Sequence, residues 1–294
     1  MEQLRGENLR GAGLMTLAMA GFAVEDSLIK ALSTLLPTWQ ILMILGLGGS
    51  LVFGMLTLAA GQPLYTRKML SAPVLLRNLG ELVGVLAFIT ALSLIDLSSA
   101  SAILQATPLA VTLGAALFLR ETVGWRRWSA VMIGFFGVLL VVRPGLSGFD
   151  GNAIFALIAV AGLALRDVAT RGITASLSSR QLCFLAFLIS IPAAAALSVP
   201  SPTSWVAMPP WALAFSAMCI AVGGVAYLTL IQGTRIGDLS FVTPFRYTRI
   251  VFALIAGGLV FGERPDAMML LGTLIIVASG LYTFWREGRR QAAA

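Results

Sequence analysis

Two stretches of the chain repeat one pattern, DLSSASAILQATPLAVTLGAALFLRE at 96–121 and DLSFVTPFRYTRIVFALIAGGLVFGE at 238–263. Each stretch begins with Asp-Leu-Ser and ends with a glutamate 25 residues after its aspartate, at Glu121 and Glu263. Between the two acids lies an apolar run long enough to form one membrane-spanning helix. A pattern of this length that occurs twice indicates an internal duplication of the chain.

A second echo lies upstream of each copy at nearly the same offset. Asp26 and Lys30 stand four residues apart in the first half, and Asp167 and Arg171 stand four residues apart in the second. The matching separation of the two echoes argues against chance.

The composition of the chain places it in a lipid bilayer. Of its 294 residues, 58% are hydrophobic and only 11% are charged, and its mean hydropathy is +0.92. A soluble domain carries about a quarter of its residues as charged side chains. Apolar stretches long enough to span as helices fill nearly the whole sequence. We predict ten of them, at 11–32, 39–60, 71–94, 98–119, 125–142, 152–173, 181–199, 210–231, 239–261 and 267–285.

Five spans in each unit determine how the two units are oriented. Because five is odd, the second unit enters the membrane from the opposite face, and the repeats at 11–143 and 151–286 are inverted. The predicted fold is therefore an all-α integral membrane protein with ten transmembrane helices in two inverted five-helix repeats around a central cavity. Such a pair suits alternating access, because the two halves can exchange conformations.

The basic residues predict the topology. On a ten-span arrangement, 15 of the 20 Lys and Arg residues fall on the side that holds both termini, and the opposite side holds only Lys30, Arg143 and Arg264. By the positive-inside rule both termini are cytoplasmic, as in a multi-pass protein of a bacterial-type inner membrane.

Several function classes are disfavoured by what the sequence lacks. The net charge of +7 comes without a basic tract interleaved with aromatic residues, so a nucleic-acid partner is not expected. The chain has no histidine, and it has no phosphate-binding loop, dinucleotide fingerprint or zinc spacing. We therefore expect no metal, no cofactor and no catalytic residues.

The two units resemble the EamA-type members of the drug/metabolite transporter superfamily. The resemblance rests on the Asp-Leu-Ser starts and on the closing glutamates Glu121 and Glu263, and it covers nearly the whole chain. It implies an inverted-repeat ten-helix fold with a cavity lined by spans 1, 3, 4, 6, 8 and 9. Members of the family include amino-acid exporters, among them the YddG-type exporters of aromatic amino acids, and carriers of other metabolites.

Two arginines of span 9 stand out as candidate binding residues. Arg246 and Arg249 lie roughly 10 to 15 Å into the span, on one face. The matching positions of span 4 are Leu104 and Thr107, so the fold itself does not require the two cations. Ionisable groups at such depth are costly and usually serve function. A pair of guanidinium groups suits a carboxylate or phosphate.

Glu81 is the third candidate, because it lies about 15 Å deep in span 3. The equivalent region of span 8, residues 222–224, carries no charge. Glu81 can accept an ammonium group or carry a proton. Alternatively, it neutralises one of the two arginines as a structural ion pair, which leaves the other arginine for an anion. Weaker candidates for lining the cavity are Asn78, Gln105, Arg166, Tyr227 and Tyr247.

The acids of the second echo are candidate gating residues. Asp26 with Lys30, and Asp167 with Arg171, are each one helical turn apart, so each acid can pair within its own helix. The alternative to a gate near each mouth is a structural ion pair whose cation reaches the interface.

These features together predict a secondary transporter rather than an enzyme. Its cargo is a small metabolite such as an aromatic or neutral amino acid or another carboxylate, exported with or without coupling to protons. A carrier of larger, nucleotide-like organic anions is the alternative, and a polytopic membrane enzyme is the third hypothesis.

Overall fold

The computed structural model describes residues 2–118, 124–144, 150–171, 173, 177–199, 201, 204–236 and 242–291, and its regular structure over them is helical throughout. Within these residues there are eleven α-helices and two 3₁₀ segments, Arg67–Leu70 and Thr243–Tyr247. The α-helices are α1 (Glu2–Ser33), α2 (Thr38–Ala59), α3 (Ala72–Leu94), α4 (Leu97–Leu104), α5 (Thr107–Phe118), α6 (Trp125–Val142), α7 (Ala153–Arg171), α8 (Ser179–Ser198), α9 (Pro210–Ile236), α10 (Thr248–Val260) and α11 (Ala267–Gln291).

These helices make the ten predicted spans. Among the described residues, seven helical stretches are long and apolar enough to cross a membrane, and α4 with α5 counts as one of them. Shorter apolar stretches in α6 and α11 supply two more. The remaining span consists of the second 3₁₀ segment and α10. The prediction of ten transmembrane helices is confirmed.

The main helix contacts join one repeat to the other. Helix α1 packs on α9, α3 on α7, α2 on α8, α6 on α11 and α4 on α10. In the repeat, α1 corresponds to α7 and α3 corresponds to α9, so the first two pairs are copies of one another. This pattern is that of a two-fold relation between the halves.

Close helix approaches show that the paired helices run antiparallel. In the α3 and α7 pair, Gly80 lies against the Arg166 backbone, and Gly84 lies one turn further along against Gly162. A Cβ added at Gly162 would lie 2.6 Å from the Gly84 backbone nitrogen, so both positions require glycine. Helices α1 and α3 are two spans apart and run in the same direction, so α7, the counterpart of α1, runs opposite to it and the repeats are inverted, as predicted.

The outer surface of the bundle is suited to lipid. Large apolar side chains such as Leu51, Met132 and Leu259 are exposed on α2, α6 and α10. A soluble monomer rarely exposes so much contiguous apolar surface. The chain is therefore a multi-pass membrane protein.

Candidate functional site

Span 4 is broken near its middle, at the proline inside it. Helix α4 ends at Leu104 and α5 begins at Thr107. Pro108 has no backbone N–H to donate to the Leu104 carbonyl one turn earlier. The Thr107 hydroxyl donates to that carbonyl instead, at 2.6 Å. The break leaves Gln105 between the two helices.

Span 9 changes its helical form at the equivalent place. Its 3₁₀ segment ends at Tyr247, and α10 starts one residue later. The repeat aligns this junction, from Arg246 to Arg249, with the break in span 4. The two junctions also touch, because the Gln105 side-chain amide donates to the Arg246 carbonyl at 3.4 Å. Discontinuous helices near the midplane are the usual sites for substrates in inverted-repeat transporters.

Arg249 is held by an acid and two aromatic rings. Its guanidinium donates to both carboxylate oxygens of Asp26, at 2.7 and 2.8 Å from Nη2 and 3.1 Å from Nε. Phe22 and Phe88 lie with their ring centroids 5.3 and 5.5 Å from the guanidinium carbon. The prediction that Asp26 pairs with Lys30 is therefore wrong, because the Asp26 carboxylate pairs with Arg249 of span 9 instead.

Lys30 instead joins a cluster at the end of α1. Its ammonium donates to the Ile95 carbonyl at 2.6 Å and to the Leu92 carbonyl at 3.4 Å, and it lies 3.7 Å from a carboxylate oxygen of Glu263. These contacts tie α1 to the end of α3 and to the segment after α10. The lysine thus links helices that a gate at this mouth would have to separate.

Glu263 caps the start of α4. Its carboxylate accepts from the Leu97 backbone N–H at 2.7 Å, the Ser98 backbone N–H at 2.9 Å and the Ser98 hydroxyl at 2.6 Å. Free N–H groups at a helix start favour an anion. In the adjoining loop, burial and the nearby Glu263 carboxylate raise the pKa of Asp96. The counterpart of Glu263 in the first repeat, Glu121, lies outside the described residues.

Glu81 is bound by two arginines other than those expected. Its carboxylate lies 3.4 Å from Arg77 and 3.4 Å from Arg166. Arg77 also donates to the Asn78 side chain at 2.9 Å and to the Leu182 carbonyl at 3.2 Å. The alternative that Glu81 neutralises Arg246 or Arg249 is wrong, because α7 packs closer to α3 and supplies its own cation.

Asp167 pairs with its neighbour in sequence. The Arg166 guanidinium donates to its carboxylate at 2.7 Å. Arg171 ends α7, and its side chain lies outside the described residues. Tyr227 of α9 lies in Coulombic range of Arg166, and its ring meets Phe53 edge-on with 5.9 Å between centroids. Tyr227 therefore lies beside Arg166, a position that suits a residue lining the cavity.

Arg246 differs from the other buried arginines. Among the residues that the structure describes, no acid lies within ion-pair distance of its guanidinium and no acceptor is hydrogen-bonded to it. Its charged neighbours in Coulombic range are Asp167, Arg166 and Arg249. The next residue, Tyr247, packs its hydroxyl end against Gly280 of α11, on another side of the span.

Glu25 is a buried acid that the sequence reading missed. Its carboxylate lies against Gly223 of α9, where a Cβ would come within 2.4 Å of Oε1. Asp26 and Arg249 are in Coulombic range, yet no hydrogen bond or ion pair of the Glu25 carboxylate occurs in the described part of the chain. Its position in the middle of an apolar span was the signal that could have found it.

Known proteins match the whole of this architecture. The EamA-like transporter family matches the chain over residues 9–143 and 152–285. The chain belongs to this family. It is thus a member of the drug/metabolite transporter superfamily. The family and the relatives that it matches are transporters rather than enzymes.

Individual relatives of this EamA-like protein carry different cargoes. The S-adenosylmethionine uptake transporter of Rickettsia bellii is 23% identical over 285 residues, which is 94% of each chain. The riboflavin transporter of Vibrio cholerae is 27% identical over 221 residues, 74% of each chain. The pseudopaline exporter CntI of Pseudomonas aeruginosa is 27% identical over 275 residues, covering 92% of this chain and 94% of the exporter.

A solved structure supports the fold. One crystal structure superposes with a TM-score of 0.60 at 20% identity, covering 95% of this chain and 97% of the other. At this identity the match concerns the fold alone.

In this EamA-like transporter the acids and arginines described in the interior come from spans 1, 3, 6 and 9, and Gln105 of span 4 and Tyr227 of span 8 lie beside them. No group of three or more metal-binding side chains occurs among the described residues. The interior charges balance in number, with four acids and four arginines. They are Glu25, Asp26, Glu81 and Asp167, and Arg77, Arg166, Arg246 and Arg249.

Proposed function

We propose that this chain is a secondary transporter that exports a small carboxylate-bearing metabolite, such as an aromatic or neutral amino acid, by alternating access. One observation carries the proposal: at a helix junction near the midplane, no acid of the described residues lies within ion-pair distance of the Arg246 guanidinium. A buried cation without a partner is costly unless an anion visits it. The substrate carboxylate would be that anion.

The neighbouring groups would prepare Arg246 for the anion. Asp26 pairs with Arg249 and Glu81 pairs with Arg166, so these two arginines already have protein anions and Arg246 does not have one at ion-pair distance among the described residues. Gln105 fixes the backbone at Arg246. Asn78, Tyr227 and Tyr247 remain candidates for the walls of the cavity, and they contribute shape more than charge.

Gating is proposed for the clusters near the two mouths. The contacts of Lys30 and Glu263 hold α1, α3, α4 and the end of span 9 together, so this mouth must release them to open. Asp167 and Arg171 hold the equivalent place in the second repeat and would act at the other mouth.

A second candidate function is transport of larger organic anions with nucleotide-like groups. The matches with transporters of S-adenosylmethionine and riboflavin favour it. Two further features belong to the proposal in either case: repeats at 11–143 and 151–286, and an inner-membrane location with both termini cytoplasmic. The excess of Lys and Arg on one side supports that orientation.

The test is counterflow in proteoliposomes loaded with unlabelled substrate. Labelled amino acids, S-adenosylmethionine and riboflavin are offered separately, with and without a pH gradient. We expect accumulation of an amino acid and a loss of at least about tenfold in Arg246→Gln, as for a lost charge-assisted bond. Full activity of Arg246→Gln would exclude the proposed role, and uptake confined to riboflavin would favour the larger cargo.

A further inference from the structure

The two copies of one helix pair differ at a single equivalent contact. Because Asp26 aligns with Asp167, the residues before them, Glu25 and Arg166, also align. The offset between Asp96 and Asp238 is 142 residues, and the same offset aligns Glu81 with Gly223. In one pair Glu81 meets Arg166 at 3.4 Å. At the equivalent place in the other pair, Glu25 meets a glycine.

The backbone contacts show that this equivalence is structural. In the α3 and α7 pair, Gly84 lies against Gly162; in the α1 and α9 pair, the aligned residues Ala226 and Gly21 lie together, with Ala226 Cβ 2.8 Å from a Cβ added at Gly21. Both pairs therefore cross in the same way. The residue that faces Glu25 is a glycine, whereas the aligned residue that faces Arg166 is Glu81, so the two pairs differ in side chains and not in packing.

Glu25 therefore meets no charged side chain of the described residues across its helix pair, whereas its counterpart Arg166 meets Glu81. Its carboxylate lies in the middle of a span, close to the Asp26 carboxylate, and receives no donor from the described residues. A carboxylate in such surroundings needs a positive group to offset its lost hydration. Arg249 does not supply that group, because its guanidinium forms three hydrogen bonds with Asp26.

We infer that Glu25 receives the ammonium group of a zwitterionic substrate whose carboxylate binds Arg246. The inference rests on the proposed function and deepens it, because it narrows the cargo from carboxylates to amino acids. Of the interior groups that the structure describes, the acid Glu25 and the arginine Arg246 have no ion-pair partner, and both are in Coulombic range of Arg249. Helix α1 also packs directly on the 3₁₀ segment that carries Arg246. A zwitterion would neutralise both groups at once.

The experiment measures which charged group of the substrate each residue binds. Three probes share one ring: L-phenylalanine, 3-phenylpropanoate without the amine, and 2-phenylethylamine without the carboxylate. A second trio, L-leucine, 4-methylpentanoate and isopentylamine, covers aliphatic cargo. Each is tested as a competitor of counterflow for wild-type protein, Glu25→Gln, Glu81→Gln and Arg246→Gln. Val24→Ala is the matched control, since Val24 precedes Glu25 and is exposed toward lipid.

We expect the wild type to prefer the amino acid over the deaminated acid by at least about tenfold, and Glu25→Gln to lose that preference. Glu81→Gln and Val24→Ala should keep it. Gly223→Ala serves as a second variant, because its Cβ would displace the Glu25 carboxylate without removing it. Elution of each variant as a single species in detergent establishes that it is folded.

The outcomes separate the two proposals. Equal competition by 3-phenylpropanoate and L-phenylalanine in the wild type overturns the ammonium site and leaves the carboxylate proposal standing. Amine competition that depends on Glu25 but not on Arg246 does the reverse. Loss of preference in Glu81→Gln alone would return the role to Glu81. If Glu25→Gln loses only its response to a pH gradient, Glu25 is a proton site and the inference fails. Competition by none of the six probes overturns both.

Discussion

A double-mutant cycle on Asp26 and Arg249 tests the central contact of the interior. The cycle combines Asp26→Asn, Arg249→Gln and the double variant. Asp26→Asn keeps the shape of the side chain and removes its charge. Arg249→Gln also removes the guanidinium from the rings of Phe22 and Phe88, a loss that the single and double variants share and that the cycle subtracts. The comparison cycle pairs Asp26→Asn with Lys30→Gln, the partner that helical spacing alone would favour.

The geometry sets the expected magnitude. The carboxylate and the guanidinium share three hydrogen bonds of 2.7 to 3.1 Å, and the Asp26 side chain is only 4% exposed. Removing one partner of a buried pair costs about 3 to 5 kcal/mol, because a charge is left uncompensated. We expect a coupling of about 2 kcal/mol or more for Asp26 with Arg249. The coupling of Asp26 with Lys30 should stay below about 0.5 kcal/mol, since Lys30 contacts other groups.

The assay is reversible unfolding in mixed detergent and dodecyl sulphate micelles, followed by tryptophan fluorescence. Free energies of unfolding for the four proteins of each cycle give the two couplings. A coupling for Asp26 and Arg249 no larger than that for Asp26 and Lys30 would refute the argument. The carboxylate would then be paired locally, and the link between spans 1 and 9 would not contribute to stability.

Three further results are expected. Gly162→Leu should lower the free energy of unfolding by about 3 kcal/mol, because its side chain would meet the α3 backbone; Gly13→Leu, with open space around it, is the control, and equal stability would contradict the close crossing. The Arg143 guanidinium and then the Met269 N–H lower the pKa of Asp266 from its ordinary value of 3.8. The stability that these contacts give to the folded protein should be complete above that ordinary value and lost as pH falls through the lower pKa of the folded state. Asp266→Asn should abolish this acid-dependent part of an unfolding titration. A green fluorescent protein fused to the C-terminus should fluoresce and an alkaline phosphatase fused there should be inactive, and the opposite result would reverse the topology.

Much of the fold follows from the sequence because the repeat is written in it. The paired Asp-Leu-Ser starts and the odd number of spans in each unit are enough to predict inversion. The break in span 4 was harder to predict, since Pro108 alone suggests a kink and gives no sign that Thr107 satisfies the freed carbonyl. The offset that aligns this break with the Arg246 junction would have pointed to both.

The sequence predicted candidate residues for the site, but it did not predict which of them form ion pairs with one another. Comparing repeats drew attention to Arg246, Arg249 and Glu81, because each has an uncharged counterpart. Their partners depend on how the helices rotate and which ones touch, and residues 26 and 249 are joined only through tertiary packing. Spacing along one helix therefore gave Lys30 as the partner of Asp26. Glu25 was not predicted, because the pattern that recurs in the two halves contains its neighbour Asp26 and not Glu25 itself.

The exchange of partners between the halves has a consequence for how the protein is made. Helices leave the ribosome in order, and α1, α2 and α3 enter the membrane long before α9, α8 and α7, on which they pack. The first half must wait in lipid with its close-packing glycines and its interior acids uncovered, exposed to insertion chaperones and membrane proteases. Biogenesis of this transporter is therefore a late, single assembly step, and separate genes for the two halves would have to be expressed together for either product to survive.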